Sequence, residues 1–145
     1  MLLGVIIRAT TPVLGIVLAL ALGTAAPARA DERLDGDYTL VNGPTTTRWS
    51  ITTQCNAELT CAGTISTATG LIAQIRRSEG GPWIVQRNDV VNGWTCPDGS
   101  TAPGDQTYTF DPATLAGTFS ATSRPGACGD PEPAHLQQPI SLHPA

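Results

Sequence analysis

Few residues in this 145-residue chain are equipped for chemistry. There are four cysteines (Cys55, Cys61, Cys96 and Cys128), two histidines (His135 and His143), 12 acidic residues, and eight basic residues that are all arginine. Cysteine and histidine together suggest zinc. However, Cys-x5-Cys followed far downstream by Cys-x31-Cys is no zinc-ligand spacing, and neither histidine follows a cysteine at ligand distance. No Cys-x-x-Cys is present for thiol–disulfide exchange. An even number of cysteines in an exported chain instead reads as a disulfide framework. Of the three possible connectivities, the expected one is Cys55–Cys61, closing the tip Asn56-Ala57-Glu58-Leu59-Thr60, together with Cys96–Cys128, spanning a long stretch that contains a strand pair.

Nucleophilic catalysis requires a nucleophile, a base and a group to orient the base. His135 is the one histidine away from the C-terminus, and its potential partners are Thr118, Ser120 and Ser123; no Gly-x-Ser-x-Gly elbow exists. Paired carboxylates could hydrolyse glycosides. Nearly every acid here falls in a turn, as in Asp98-Gly99 and Asp111-Pro112, where aspartate bonds to the backbone. No calcium loop of the EF-hand type is present. The expectation is a protein that is not an enzyme, with no cofactor and no metal; a hydrolase is the third-ranked reading.

The more informative side chains are Trp49, Trp83, Trp94 and the pair Arg76-Arg77. The tryptophans pack a core or line an apolar cavity. Trp83 follows Gly80-Gly81-Pro82, which places it near a mouth. Adjacent arginines on a strand point to opposite faces, one of them solvated; beside a loop, the pair could also meet a protease or another partner.

The first 30 residues differ from the rest. Arg8 is followed by an apolar run from Pro12 to Leu22, then by small residues ending in Ala28-Arg29-Ala30. A basic start, an apolar middle and an A-x-A site predict a signal peptide over 1–30. The apolar run is shorter than the roughly 20 residues a membrane span needs. The remainder, 31–145, is expected to be a single domain. Losing Arg8 and Arg29 leaves six arginines against 12 acids, and this acidity argues against nucleic acid and anionic lipid surfaces as partners.

The elements that must position these residues are short alternating runs divided by turns, the pattern of half-buried strands. Tyr38 shares a face with Leu40, Trp49 with Ile51, Gly63 with Ile65, Ala73 with Ile75, Trp83 with Val85, Tyr108 with Phe110, and Phe119 with Ala121. Asn88-Asp89 interrupts one run, and Asn92-Gly93 is positioned to begin a turn. Pro139 within the final run predicts an edge strand. The fold class is all-β: an antiparallel meander of eight to nine strands with two disulfides. Closure into an up-and-down barrel is favoured over a sandwich because it removes the edges.

Several segments together carry a resemblance: Gly36-Asp37-Tyr38, Trp49-x-Ile51 leading to Cys55, Cys61-Ala62-Gly63, Trp94-x-Cys96-x-Asp98-Gly99, Tyr108-x-Phe110-Asp111-Pro112-x-Thr114-Leu115-x-Gly117, and Ala127-Cys128-Gly129. Across most of 31–145 the chain resembles a group of small exported proteins of mycobacteria and related actinobacteria that has no assigned activity. The resemblance implies location and architecture, a disulfide-stapled all-β domain, and no catalytic residues. Gly36-x-Tyr38 is also distantly similar to the Gly-x-Trp that opens lipocalin barrels.

The expected function is therefore a secreted or cell-envelope binding protein whose ligand is a small apolar molecule or lipid held in a barrel, with contacts drawn from Trp49, Trp83, Trp94, Arg76 and Arg77. The alternative is an extracellular interaction module or protease inhibitor acting through the loop at Arg76-Arg77 on a protein of the envelope.

Overall fold

Threonine, isoleucine and aromatic residues at alternating positions suit a pleated, half-buried surface, and they form strands over about two thirds of the described chain. The computed structural model describes residues 33–145; the expected signal peptide over 1–30 lies outside the described residues. The strands are β1 (Gly36–Asn42), β2 (Thr45–Cys55), β3 (Cys61–Thr67), β4 (Gly70–Arg77), β5 (Trp83–Thr95), β6 (Thr101–Phe110), β7 (Ala116–Ser123) and β8 (His135–Pro144). They close into one antiparallel barrel in sequence order, with β8 returning to β1. Among the described residues the only helical element is a 3-10 turn, Ala127–Gly129. The all-β class, the closed barrel and both expected disulfides are thus as the sequence indicated.

Three local features differ from expectation. Asn88-Asp89 and Asn92-Gly93 do not end strands. β5 runs through them, with irregular register between Arg87 and Val90 and between Val90 and Trp94. Asp89 adopts φ 53°, and its amide donates to Asp105 Oδ1 at 2.9 Å. These are bulges, which use the same residue types as turns. The third is β8. It is a full member of the barrel, paired with β7 and β1, rather than an edge strand. Pro139 is tolerated because the β1 ladder begins only at Ile140; at Pro139 the strand has β7 alone beside it.

The two ends of the barrel differ. At one end Ile51, Ile65, Ile75, Trp83, Val85 and Phe110 interlock, none more than 2% exposed. The segment preceding β1 folds across this end: Leu34 is buried, its amide donates to Thr53 Oγ1 at 3.0 Å, and the Thr53 amide donates to Asp35 Oδ1 at 2.6 Å. The Cys55–Cys61 disulfide clasps the β2–β3 hairpin there. At the opposite end, Cys96–Cys128 ties the β5–β6 turn to the 3-10 turn preceding β8.

That second end is incompletely laddered. β2 pairs with β3 only from Ser50 onwards. β4 pairs with β5 at just two positions, Ile75↔Val85 and Arg76↔Ile84. Towards the mouth, β5 has β6 alone beside it, and the β3–β4 hairpin stands clear.

Candidate ligand cavity

The missing ladders leave a cavity of about 830 Å³ open to solvent at that end. Its apolar wall comes from Leu40, Trp49, Ile72 and Tyr108, and threonines of β2 and of the β3–β4 turn make its rim. Register explains the wall. Tyr38 pairs with Trp49 and Leu40 with Thr47, so these four share the inner face. Trp49 packs edge-on to Tyr108 at 5.3 Å and to Phe110 at 6.1 Å between ring centroids. Such offset aromatic contacts fix ring orientation. Trp49 and Tyr108 therefore form the floor, resting on the packed layer of Phe110.

Two arginines line the cavity, and they are in different situations. Arg48 faces outward and is paired with Asp37 at 2.8 Å. Arg87 is half-buried, and its Nη1 donates to Gln106 Oε1 at 3.1 Å. Gln106 in turn donates through Nε2 to the Gly93 carbonyl at 3.0 Å and accepts from Tyr108 Oη at 3.4 Å. Burial pushes the Tyr108 phenol above its ordinary pKa, and the nearby Arg87 charge opposes that shift. Tyr108 is a neutral hydrogen-bonding group at ordinary pH. Among the described residues no carboxylate lines the cavity.

Of the tryptophans singled out in the sequence, Trp49 lines the cavity and the other two do not. Trp83 is 2% exposed and pairs with Phe110 in the packed end; it opens its strand at a barrel end, but at the filled one, and faces inward. Trp94 is half-buried on β5 opposite Ala102.

The adjacent arginines separate as strand alternation requires. Arg76 is exposed and donates to Gln86 Oε1 at 3.0 Å. Arg77 is 9% exposed and turned into the barrel. Its Nε donates to the Gly81 carbonyl at 2.8 Å and its Nη2 to the Gly80 carbonyl at 3.0 Å, with the guanidinium 5.7 Å from the Trp83 ring centroid. It holds the β4–β5 turn from within, which is not the posture of an arginine presented to a protease. Sequence reasoning missed Arg87, Tyr108 and Ile72 as cavity residues. For Arg87 a signal existed: the alternation that puts Trp83 and Val85 on one face continues to it.

The histidines stand on the outer surface. His135 Nδ1 lies 3.0 Å from Thr122 Oγ1, and His143 Nε2 lies 2.8 Å from Ser141 Oγ. Ser123, one of the considered nucleophiles, is buried and accepts the Ala134 amide at 2.8 Å. Among the described residues no group of histidine, cysteine and carboxylate is arranged to hold a metal, and no helix is long and apolar enough to cross a membrane. The two disulfides are those of a chain that folds in an oxidising compartment.

Comparison with protein-family models, with curated proteins and with solved structures finds no match.

Proposed function

We propose that this protein is an exported, non-enzymatic carrier that holds one small apolar molecule in the open end of its barrel. The observation that carries this reading is the cavity of about 830 Å³ floored by Trp49 and Tyr108 and walled by Leu40 and Ile72. Ligand sites are concave, mostly apolar and of roughly 300–1,000 Å³, and an eight-stranded barrel has an interior just wide enough for one small ligand. Here one half of that interior is filled by side chains and the other half is not, so the ligand would occupy a cup rather than the full length of the barrel. Secretion to the medium or envelope rests on the basic, apolar and A-x-A pattern of residues 1–30, together with the disulfides.

Native mass spectrometry of the protein purified from an actinobacterial host tests the reading. Extra mass that leaves on denaturation, or uptake of one equivalent of an added apolar probe, is the expected result. A bare polypeptide that takes up no apolar probe at micromolar concentration would overturn it.

A further inference from the structure

The carrier reading says only that the ligand has an apolar body. Arg87 says more. Val85 is fully buried and pairs with Tyr108; two residues along the same inner face, Arg87 pairs with Gln106. The guanidinium is thus one side-chain layer above the packed floor, inside the cup rather than at its lip. An arginine keeps its charge under all ordinary conditions. It donates to a neutral amide, Gln106, with the neutral Tyr108 phenol also beside it, and no ion pair joins it to a carboxylate among the described residues. The nearest acidic positions along the two strands, Asp89 and Asp105, share Arg124, whose single charge offsets one of the two carboxylates. Asp105, adjacent to the inward Gln106, points to the outer face. Arg48 is neutralised by Asp37. The cup therefore holds one cation that no carboxylate among the described residues touches, set against aromatic and aliphatic walls, and a half-buried charge of this kind attracts a counter-charge.

Building on the carrier reading, we infer that the ligand is an amphiphilic anion, a molecule with an aromatic or aliphatic body and a single carboxylate-like head, and that Arg87 receives the head. Gln106 orients the guanidinium, and Tyr108 Oη adds a second donor within the same network. The body lies against Trp49, Leu40 and Ile72 towards the threonine rim. The head enters first and the apolar body closes the cup above it.

Two fluorescent probes that share a body separate this inference from the reading beneath it. 8-Anilinonaphthalene-1-sulfonate is an anion, and N-phenyl-1-naphthylamine is the same body without the sulfonate. The sulfonate probe is expected to bind one per chain, at least tenfold tighter than the neutral one, since a hydrogen-bonded charge pair is worth about a factor of ten or more. Arg87→Gln should abolish that preference while leaving the neutral probe within about threefold, and Arg87→Lys should retain much of it. Raising the salt concentration should weaken only the anion. Equal binding of the two probes by the native chain, or equal loss of both in a folded Arg87→Gln chain, would overturn the inference and leave the carrier reading standing. Binding of neither probe would overturn both.

Discussion

Arg76 and Arg77 are neighbours of identical type, and the barrel gives them opposite consequences. Replacing Arg77 with alanine removes two charge-assisted hydrogen bonds to the Gly80 and Gly81 carbonyls, the stacking over Trp83 and a buried aliphatic stem. Bonds from a charged donor contribute about 1.5–3 kcal/mol each, and a cation over an aromatic face about 0.5–2 kcal/mol. These values overlap because one side chain makes all the contacts. Both glycines are half-buried, so water recovers part of the carbonyl loss. The net cost should be about 2–4 kcal/mol, from the low end of those ranges. Arg76 is exposed with a single bond to Gln86, and Arg76→Ala should change stability by no more than about 0.5 kcal/mol. Urea unfolding followed by tryptophan emission reads the difference. With a slope of about 2 kcal/mol per molar urea, the Arg77→Ala midpoint should fall by roughly 1–2 M and the Arg76→Ala midpoint should barely move. Arg77→Met keeps much of the stem and should recover part of the loss. Equal losses in the two alanine variants, or none in Arg77→Ala, would refute the assignment of Arg77 as an internal tie of the β4–β5 turn.

Other expectations concern staples, close approaches and acid. The Cys96–Cys128 bridge spans 32 residues of sequence and the Cys55–Cys61 bridge six. Chain-entropy reasoning credits them with about 3.7 and 2.2 kcal/mol as upper figures, so a Cys96→Ser/Cys128→Ser chain should melt at a lower temperature than a Cys55→Ser/Cys61→Ser chain. A side-chain carbon on Gly117 would be driven into the Thr109 carbonyl of β6; Gly117→Ala should cost about 1–3 kcal/mol by overpacking, against an unchanged baseline for the exposed Ala116→Ser. Asp37 is held below the ordinary carboxylate range by hydrogen bonds from Ser50 and Arg48, Asp98 by Ser100, and Asp111 by the Thr114 and Ala113 amides. Depressed folded values mean that their support is complete above the unfolded pKa and is lost as pH falls through the folded one. The melting temperature should therefore be flat above about pH 5 and decline below about pH 4; a decline beginning near neutrality would contradict these assignments.

Much of the barrel was legible in the sequence because alternation, turn residues and cysteine parity act locally. Trp49 with Ile51, and Tyr108 with Phe110, announce inward faces regardless of what lies opposite. The bulges in β5 were not legible, since Asn88-Asp89 and Asn92-Gly93 carry the chemistry of a turn and only the partner strand decides between turn and bulge. Pro139 misled for a related reason: a local rule about missing amides could not know that β1 ends beside Ile140. The cavity is the least local feature of all. It exists because β4 and β5 part after two residue pairs, and no pattern within either strand records where a ladder stops. Trp83 and Trp49 look alike in sequence, yet one fills the packed end and the other floors the cup. Arg87 could have been picked out by extending the Trp83–Val85 alternation one step further.

The central claim is that the open end of the barrel is a binding cup, and blocking it tests this most directly. Thr47 is exposed and lines the cavity two residues from Trp49. Thr47→Trp should obstruct the mouth of the cup while changing the unfolding free energy by no more than about 0.5 kcal/mol. Titration with N-phenyl-1-naphthylamine should show one bright, saturable site per native chain and none per Thr47→Trp chain. A native chain that leaves the probe dark, or a Thr47→Trp chain that binds it as well as the native one, would contradict the account.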